Sequence, residues 1–289
     1  MAVVISGKEL STNLKLNMKN EVLNFSKTYD RLPHLVVILI GDDAGSQSYV
    51  KGKEKASLEI GIKNTTIRKD ASFTEKELLD LIDELNNDDT VDGILVQLPL
   101  PKHINKDRVL ERIRFDKDVD GFHPTNVAKL WQKKKCIVPC TPKGIIKLLD
   151  SANIEISGKN VVVMGRSEIV GLPVSKLLID RNATVTIVHS KTKDVTNVTN
   201  KADILVVAIG KPKYVTGDFI KEGAVVIDVG VNRDPETGKL CGDCDFKSCE
   251  PLASYITKVP GGVGPMTICC LMENTIEAYL NHMEEKKNV

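Results

Sequence analysis

Gly158-Lys159-Asn160-Val161-Val162-Val163-Met164-Gly165-Arg166-Ser167-Glu168-Ile169-Val170-Gly171-Leu172-Pro173 decides how the chain is read. Val161 to Met164 form an unbroken apolar run closed by Gly165, the pattern of a buried parallel strand. Gly171-Leu172-Pro173 opens a helical pattern through Val174, Leu177 and Leu178. Proline suits a first helical turn, where its missing N–H loses nothing. Strand, glycine-marked turn and helix together aim backbone N–H groups and a positive helix end at an anion, usually a phosphate. The dinucleotide fingerprint Gly-x-Gly-x-x-Gly is met only in part, because Ser167 stands at its middle glycine. An ordinary strand-to-helix turn of an α/β protein reads the same way.

The residues that follow favour the nucleotide. A second strand, Ala183 to His189, ends in His189-Ser190-Lys191-Thr192-Lys193. An NAD site normally places a carboxylate there for the adenosine ribose. Hydroxyls and cations suit a 2′-phosphate instead, so the cofactor reads as NADP. Further strands at Asp203–Gly210 and Ala224–Gly230 complete a wound sheet.

A chain of 289 residues accommodates two domains. Hydrophobic content of 42% predicts a packed core, and a net charge of +1 argues against nucleic acid as partner. No apolar run has the length of a membrane span, and the N-terminus lacks the form of a signal peptide. The expected placement is cytoplasmic. Seven cysteines lack the density of a disulfide framework. Cys241-x-x-Cys244 with Cys249 suggests a metal, but a tetrahedral set needs a fourth ligand, and no His lies between His189 and His282. No metal is expected.

Taken in order, residues 8–28 read as a surface helix and Leu35–Ile40 as a buried strand. Ser46 is the expected N-cap of a helix that Gly61 ends at Ile60. A weak strand follows over Asn64–Lys69, then a Thr74/Glu77 capping box, a helix to about Asn86 and a strand over Val91–Pro99. This part is also β-α-β-α-β. A short helix over Asn105–Ile113, a loop from Phe115 to Pro124 and a helix started by Thr141-Pro142 lead to the nucleotide unit. Pro260 to Pro265 form a glycine-rich loop before a last helix from Met266 to about His282.

Tyr49, Lys53, Ala56 and Ile60 fall on one helical stripe, while Lys51, Glu54 and Lys55 lie opposite. Lys53 is either a snorkelling lysine or a proton-transfer group whose pKa a partly dry cleft lowers. Gln97 ends an apolar strand, where open sheets place their sites or where a strand simply meets solvent. Asp116, Asp118 and Asp120 begin like a calcium loop, but Val127 stands where the closing glutamate belongs. What remains is a carboxylate for a ligand's N–H groups, or a solvated turn. The loop at 260–265 is either a tight return or a surface that admits a flat ligand.

Ser46-Gln47-Ser48-Tyr49-Val50-Lys51-Gly52-Lys53, Val96-Gln97-Leu98-Pro99, Lys117-Asp118-Val119-Asp120-Gly121, Pro139-Cys140-Thr141-Pro142-Lys143-Gly144, Gly165 to Pro173 and Pro260 to Pro265 are a set with a family resemblance. In that order, and across essentially the whole chain, they resemble the bifunctional methylenetetrahydrofolate dehydrogenase/methenyltetrahydrofolate cyclohydrolase family. The resemblance implies two α/β domains with a cleft between them, the second a Rossmann-like dinucleotide-binding domain. Residues 1–141 plus 268–289 would be the folate-binding catalytic domain and 142–267 the NADP-binding domain. It implies a homodimer that oxidises 5,10-methylenetetrahydrofolate with NADP and hydrolyses the methenyl product to 10-formyltetrahydrofolate. Lys53, Gln97 and Asp120 would be catalytic. Tyr49, Val96, Leu98, Pro260, Gly261, Gly262, Val263 and Gly264 would join them in binding the folate. Gly165, Arg166, Ser167, Ser190 and Val231 would line NADP. Two departures stand out: the cysteines at 241 and 244, and lysine at 191 where arginine is common. A regulatory nucleotide- and folate-binding protein on the same fold is the alternative; absence of Lys53 or Gln97 would have favoured it.

Overall fold

The computed structural model describes residues 1–25 and 27–287. Position 26, inside the helix expected over 8–28, and positions 288 and 289, at the end of the last segment, lie outside the described residues. The first elements are β1 (Val3–Ile5), α1 (Gly7–Phe25), β2 (His34–Ile40), α2 (Ala44–Ile60), β3 (Lys63–Lys69), α3 (Glu75–Asn87) and β4 (Gly93–Val96). Three helices follow, α4 (Lys106–Arg112), α5 (Pro124–Trp131) and α6 (Cys140–Ser151). Then come β5 (Asn160–Met164), α7 (Gly171–Asp180), β6 (Thr184–Val188), α8 (Val195–Thr199), β7 (Ile204–Val207) and β8 (Val225–Asp228). The chain ends with β9 (Asn232–Arg233), β10 (Leu240–Cys241), α9 (Phe246–Cys249), β11 (Tyr255–Thr257) and α10 (Val263–Lys287).

Two compact units form, Asn13–Cys140 with Ile268–Val289, and Met1–Thr12 with Thr141–Thr267. The first unit holds a parallel sheet in the order β3-β2-β4. Its central strand β2 is buried at all seven positions, which explains its lack of alternation. Val36, Ile38 and Ile40 pack with Leu78 and Ile82 of α3, Ile94 and Val96 of β4, and Val109 of α4. The Thr74/Glu77 capping box forms as expected. Helix α2 ends at Gly61, left-handed at φ 91°. Its N-cap is Asp43 rather than Ser46: the Ser46 N–H donates to Asp43 Oδ2 at 2.7 Å. An ionised carboxylate offers a stronger acceptor to the helix start than a hydroxyl three residues later.

The second unit holds a six-stranded parallel sheet in the order β1-β11-β8-β7-β5-β6. The four expected strands are present; β5 covers its whole apolar run, and β6, β7 and β8 are shorter than expected. Strands β1 and β11 were not expected. Val3 to Ile5 pair with Tyr255 to Thr257, so Met1–Thr12 groups with this unit and not with the domain expected over 1–141. Strand β5 lies between β6 and β7, and the chain winds outward from it in both directions, which makes its carboxyl end the switch point.

Helix α5 was also not expected. Pro124 begins it, and His123 Nδ1 accepts the Thr125 N–H at 3.0 Å. Helix α6 starts at Cys140, ahead of Thr141. Helix α10 starts at Val263, so Val263 and Gly264 are helical rather than loop.

Gly165, at φ 114°, and Gly171 close the turn after β5. A Cβ on Gly165 would overlap the Ala208 carbonyl oxygen, and one on Gly171 the Gly165 carbonyl oxygen. Gly171→Ala should therefore lower unfolding stability by about 1–3 kcal/mol. Urea unfolding measures this, and an unchanged midpoint would contradict the tight strand-to-helix contact.

Candidate functional site

The stripe read from α2 is the buried face of that helix. Ser46, Val50, Lys53, Ala56, Ser57 and Ile60 are buried, while Lys51 and Lys55 are exposed. Tyr49 is half-buried. Lys53 is only 7% exposed, so its ammonium does not snorkel to water. Its Nζ donates to Gln97 Oε1 at 2.9 Å. Gln97 follows β4, and its Nε2 donates to the Leu98 carbonyl at 2.7 Å. That second bond fixes the amide so that oxygen, not nitrogen, faces the lysine. Burial pulls the Lys53 pKa below its ordinary value, and the charge of Asp120 partly restores it. Burial likewise pushes the Tyr49 phenol up.

The acidic turn divides into scaffold and site. Lys117 Nζ donates to the Leu85, Asn86 and Asp88 carbonyls at 3.0, 2.9 and 2.8 Å, closing the C-terminal end of α3. Asp118 accepts from the Gly121 and His123 N–H groups and from Asn126 Nδ2. Asp116 pairs with Arg114 and with His282 of α10. Asn274 of α10 donates to the Val119 carbonyl, next to Asp120 in sequence, and to the Val138 carbonyl, at 2.9 and 2.8 Å. Asp120 differs from all of these. Burial raises its pKa, Lys53 lowers it, and the Cys140 thiol is its side-chain hydrogen-bond partner. Tyr49, Lys53, Gln97 and Asp120 thus belong to one unit, with a lysine poised for proton transfer beside a carboxylate.

Two expected contacts are restricted. The Val96 side chain lies in the core, so only its backbone is available to a ligand. Leu98 is half-buried and its carbonyl is engaged by Gln97. Pro260 to Gly264 belong to the other unit, where Gly262 and Val263 are buried and Pro260 is exposed.

In that unit the turn after β5 suits a phosphate. Arg166 and Ser167 are exposed, and Val170 at the N-cap of α7 offers no side-chain cap. Glycines at 165 and 171 leave no side chain between strand and helix. After β6, a turn closed by the Thr192 N–H to the His189 carbonyl leaves Ser190, Lys191 and Lys193 exposed. Val231, after β8, is exposed too. The donor set therefore fits a nucleotide with an extra ribose phosphate.

Cys241, Cys244 and Cys249 are buried, and Cys249 Sγ donates to the Val215 carbonyl at 3.3 Å. Among the described residues no three His, Cys, Asp or Glu side chains group to hold a metal ion. Reading the sequence missed Asn274 and the buried pair Asp228 and Asp243. A polar residue inside an apolar helix was the one available signal for Asn274.

Residues 5–120 match the family model described as tetrahydrofolate dehydrogenase/cyclohydrolase, catalytic domain. Residues 139–283 match the one described as tetrahydrofolate dehydrogenase/cyclohydrolase, NAD(P)-binding domain. The bifunctional protein FolD of Bacillus anthracis is 54% identical over 278 residues, 96% of each chain. The structure of bifunctional FolD from Campylobacter jejuni is 47% identical with a TM-score of 0.94, covering 97% of this chain and 99% of that one. FolD of Trypanosoma brucei, solved complexed with NADP cofactor and inhibitor, is 40% identical with a TM-score of 0.93, covering 97% and 98%.

Burial of Lys53 carries a stability consequence of definite sign. With its folded-state pKa below the ordinary 10.5, the unfolded chain binds the proton more readily. The native state is penalised below that ordinary value, and the penalty fades as pH rises toward it. Lys53→Met should accordingly be at least as stable as the parent at pH ~7, with its advantage shrinking toward pH ~10. Urea unfolding at several pH values measures this; an advantage that grew with pH would refute it.

Proposed function

The chain belongs to the tetrahydrofolate dehydrogenase/cyclohydrolase family, and on that premise we propose how its own residues serve the two reactions. It is a bifunctional, NADP-dependent enzyme of one-carbon folate metabolism. It oxidises 5,10-methylenetetrahydrofolate to 5,10-methenyltetrahydrofolate and hydrolyses that product to 10-formyltetrahydrofolate. The observation that carries the assignment of residues is the buried Lys53 ammonium, bonded to Gln97 and facing the charge of Asp120. Both residues whose loss would have favoured a regulatory binding protein are present and joined.

Hydrolysis needs proton traffic at the one-carbon bridge. Lys53 takes the proton released as water adds to the methenyl carbon, and returns one to N5 as the carbon–N5 bond breaks. The proton of the new hydroxyl leaves to solvent. Burial lowers the Lys53 pKa, so its ammonium gives up a proton more readily than an ordinary lysine's. Gln97 orients its Nζ. Asp120 accepts N–H groups of the pterin, and Tyr49 stacks on the ring. Val96 and Leu98 contribute backbone.

Bound NADP supplies the hydride acceptor for the oxidation. Gly165, Arg166 and Ser167 hold its diphosphate at the start of α7, Ser190 and Lys191 its ribose phosphate, and Val231 its other end. The protein's part in that step is alignment and exclusion of water. The reading extends to a homodimer working in the cytoplasm. The cysteines lack the density of a disulfide framework, which suits a reducing compartment, and among the described residues no helix is long and apolar enough to cross a membrane.

Lys53→Met should lower methenyl hydrolysis roughly a hundred- to ten-thousand-fold while NADPH formation from the methylene substrate falls less. The two rates are read separately on the folded variant. Hydrolysis near the parental rate would leave Lys53 without a role. The parent should also prefer NADP at equal cofactor concentrations; equal use of NAD would overturn the reading of Ser190 and Lys191.

A further inference from the structure

After β7 the chain turns through Ala208 to Lys211. The N–H groups of Ile209, Gly210 and Lys211 all donate to the Asp243 carboxylate, at 2.7, 3.0 and 2.8 Å. Asn232 Nδ2, in the segment after β8, donates to the same carboxylate at 2.8 Å. Successive N–H groups that converge in this way form a nest, the backbone's own anion site. Here the anion is a fully buried side chain of the same unit, so the nest is not open to a phosphate.

A second carboxylate stands behind the first. Asp228, the last residue of β8, accepts from the N–H groups of Gly230, Asp243 and Cys244 at 3.0, 2.9 and 2.9 Å. A Cβ on Gly230 would overlap the Asp243 carboxylate, and one on Gly242 the Asp228 carboxylate. Seven donors are thus committed to two buried carboxylates. They lie on the loops after β7 and β8, on β9 and on the segment that follows β10.

The sheet order says what those loops face. A dinucleotide lies across the carboxyl ends of the strands at the switch point. The ribose-phosphate groups Ser190 and Lys191 follow β6, on one side of β5. The loops after β7 and β8 stand on the other side, where the nicotinamide half would lie.

We propose that Asp243 is a positioning residue for the dehydrogenase reaction. It fills the nest after β7 and grips Asn232 after β8, and so sets the backbone against which the nicotinamide half of NADP lies, without touching the cofactor. Asp228 fixes Asp243 in turn by holding its N–H. The inference rests on the reading of Gly165 to Ser167, Ser190 and Val231 as NADP contacts.

Asp243→Asn tests it. The amide keeps the shape but offers one acceptor oxygen, and it turns an NH2 group toward donors that need an acceptor. KM for NADP should rise roughly tenfold or more. Methenyl hydrolysis uses no NADP and has its groups in the other unit, so it should stay within about twofold in the same preparation. Asp228→Asn is the milder variant. Burial already pushes that carboxyl up to about 6, so a neutral isostere disturbs the fold less. Its KM for NADP should rise about threefold with hydrolysis unchanged, and it decides the matter if Asp243→Asn does not fold. An unchanged KM for NADP, or a parallel loss of both activities, would overturn the proposal. A parent enzyme that did not use NADP would instead overturn the cofactor reading beneath it.

Discussion

A lysine ammonium held away from water is the constraint on which the first unit is built. Leaving such a charge unpartnered in a protein interior is strongly unfavourable. Lys53 meets one amide oxygen, and the carboxylate charge of Asp120 acts on it without a complete ion pair. Its partners must therefore be fixed independently of it. Gln97 is fixed by its bond to the Leu98 carbonyl at the end of a strand whose side chains are buried. The turn that carries Asp120 is fixed by Asp118 from within, by Lys117 at its base and by Asn274 from α10. The polar residues around Lys53 form one support, and Lys53 is where its electrostatic strain collects.

The nucleotide unit solves a related problem with the opposite sign. Strand ends release backbone N–H groups that need acceptors, and loops that approach a ligand closely cannot rely on bulky side chains to cover them. Asp228 and Asp243 satisfy those groups from beneath and leave the outer surface to glycine, Val231 and the helix start of α7. On the proposed reading, phosphate recognition is then left to the turn after β5, whose N-cap supplies no side chain of its own.

Much of this was legible in the sequence because it depends on local spacing. The α2 stripe, the Thr74/Glu77 box, Gly61 and the four strands from β5 to β8 follow from periods and caps that a short window contains. Strands β1 and β11 did not, because three residues carry no period and their pairing joins positions about 250 residues apart. The capping of α2 by Asp43 instead of Ser46 turned on which of two nearby acceptors the backbone faces. Burial of Lys53 was decided by what packs over the stripe, which a single helix cannot show. The cysteines looked like ligands by spacing but are placed as small apolar side chains.

The three aspartates of the acidic turn show why composition alone could not separate scaffold from site. Asp116, Asp118 and Asp120 alternate in one short segment and are chemically identical. What separates them is how many donors each already has. Asp116 is paired with Arg114 and His282, and Asp118 accepts three protein donors. Asp243 in the other unit accepts four. A carboxylate saturated by the protein holds shape and has little left to offer a ligand. Asp120 has a thiol and the field of a buried lysine, so its capacity as an acceptor is largely unfilled. The residue that lacks strong partners within its own fold is the one with acceptors left for a ligand's N–H groups. Counting donors, which needs the structure, separates one carboxylate with acceptor capacity left from two that the protein already fills.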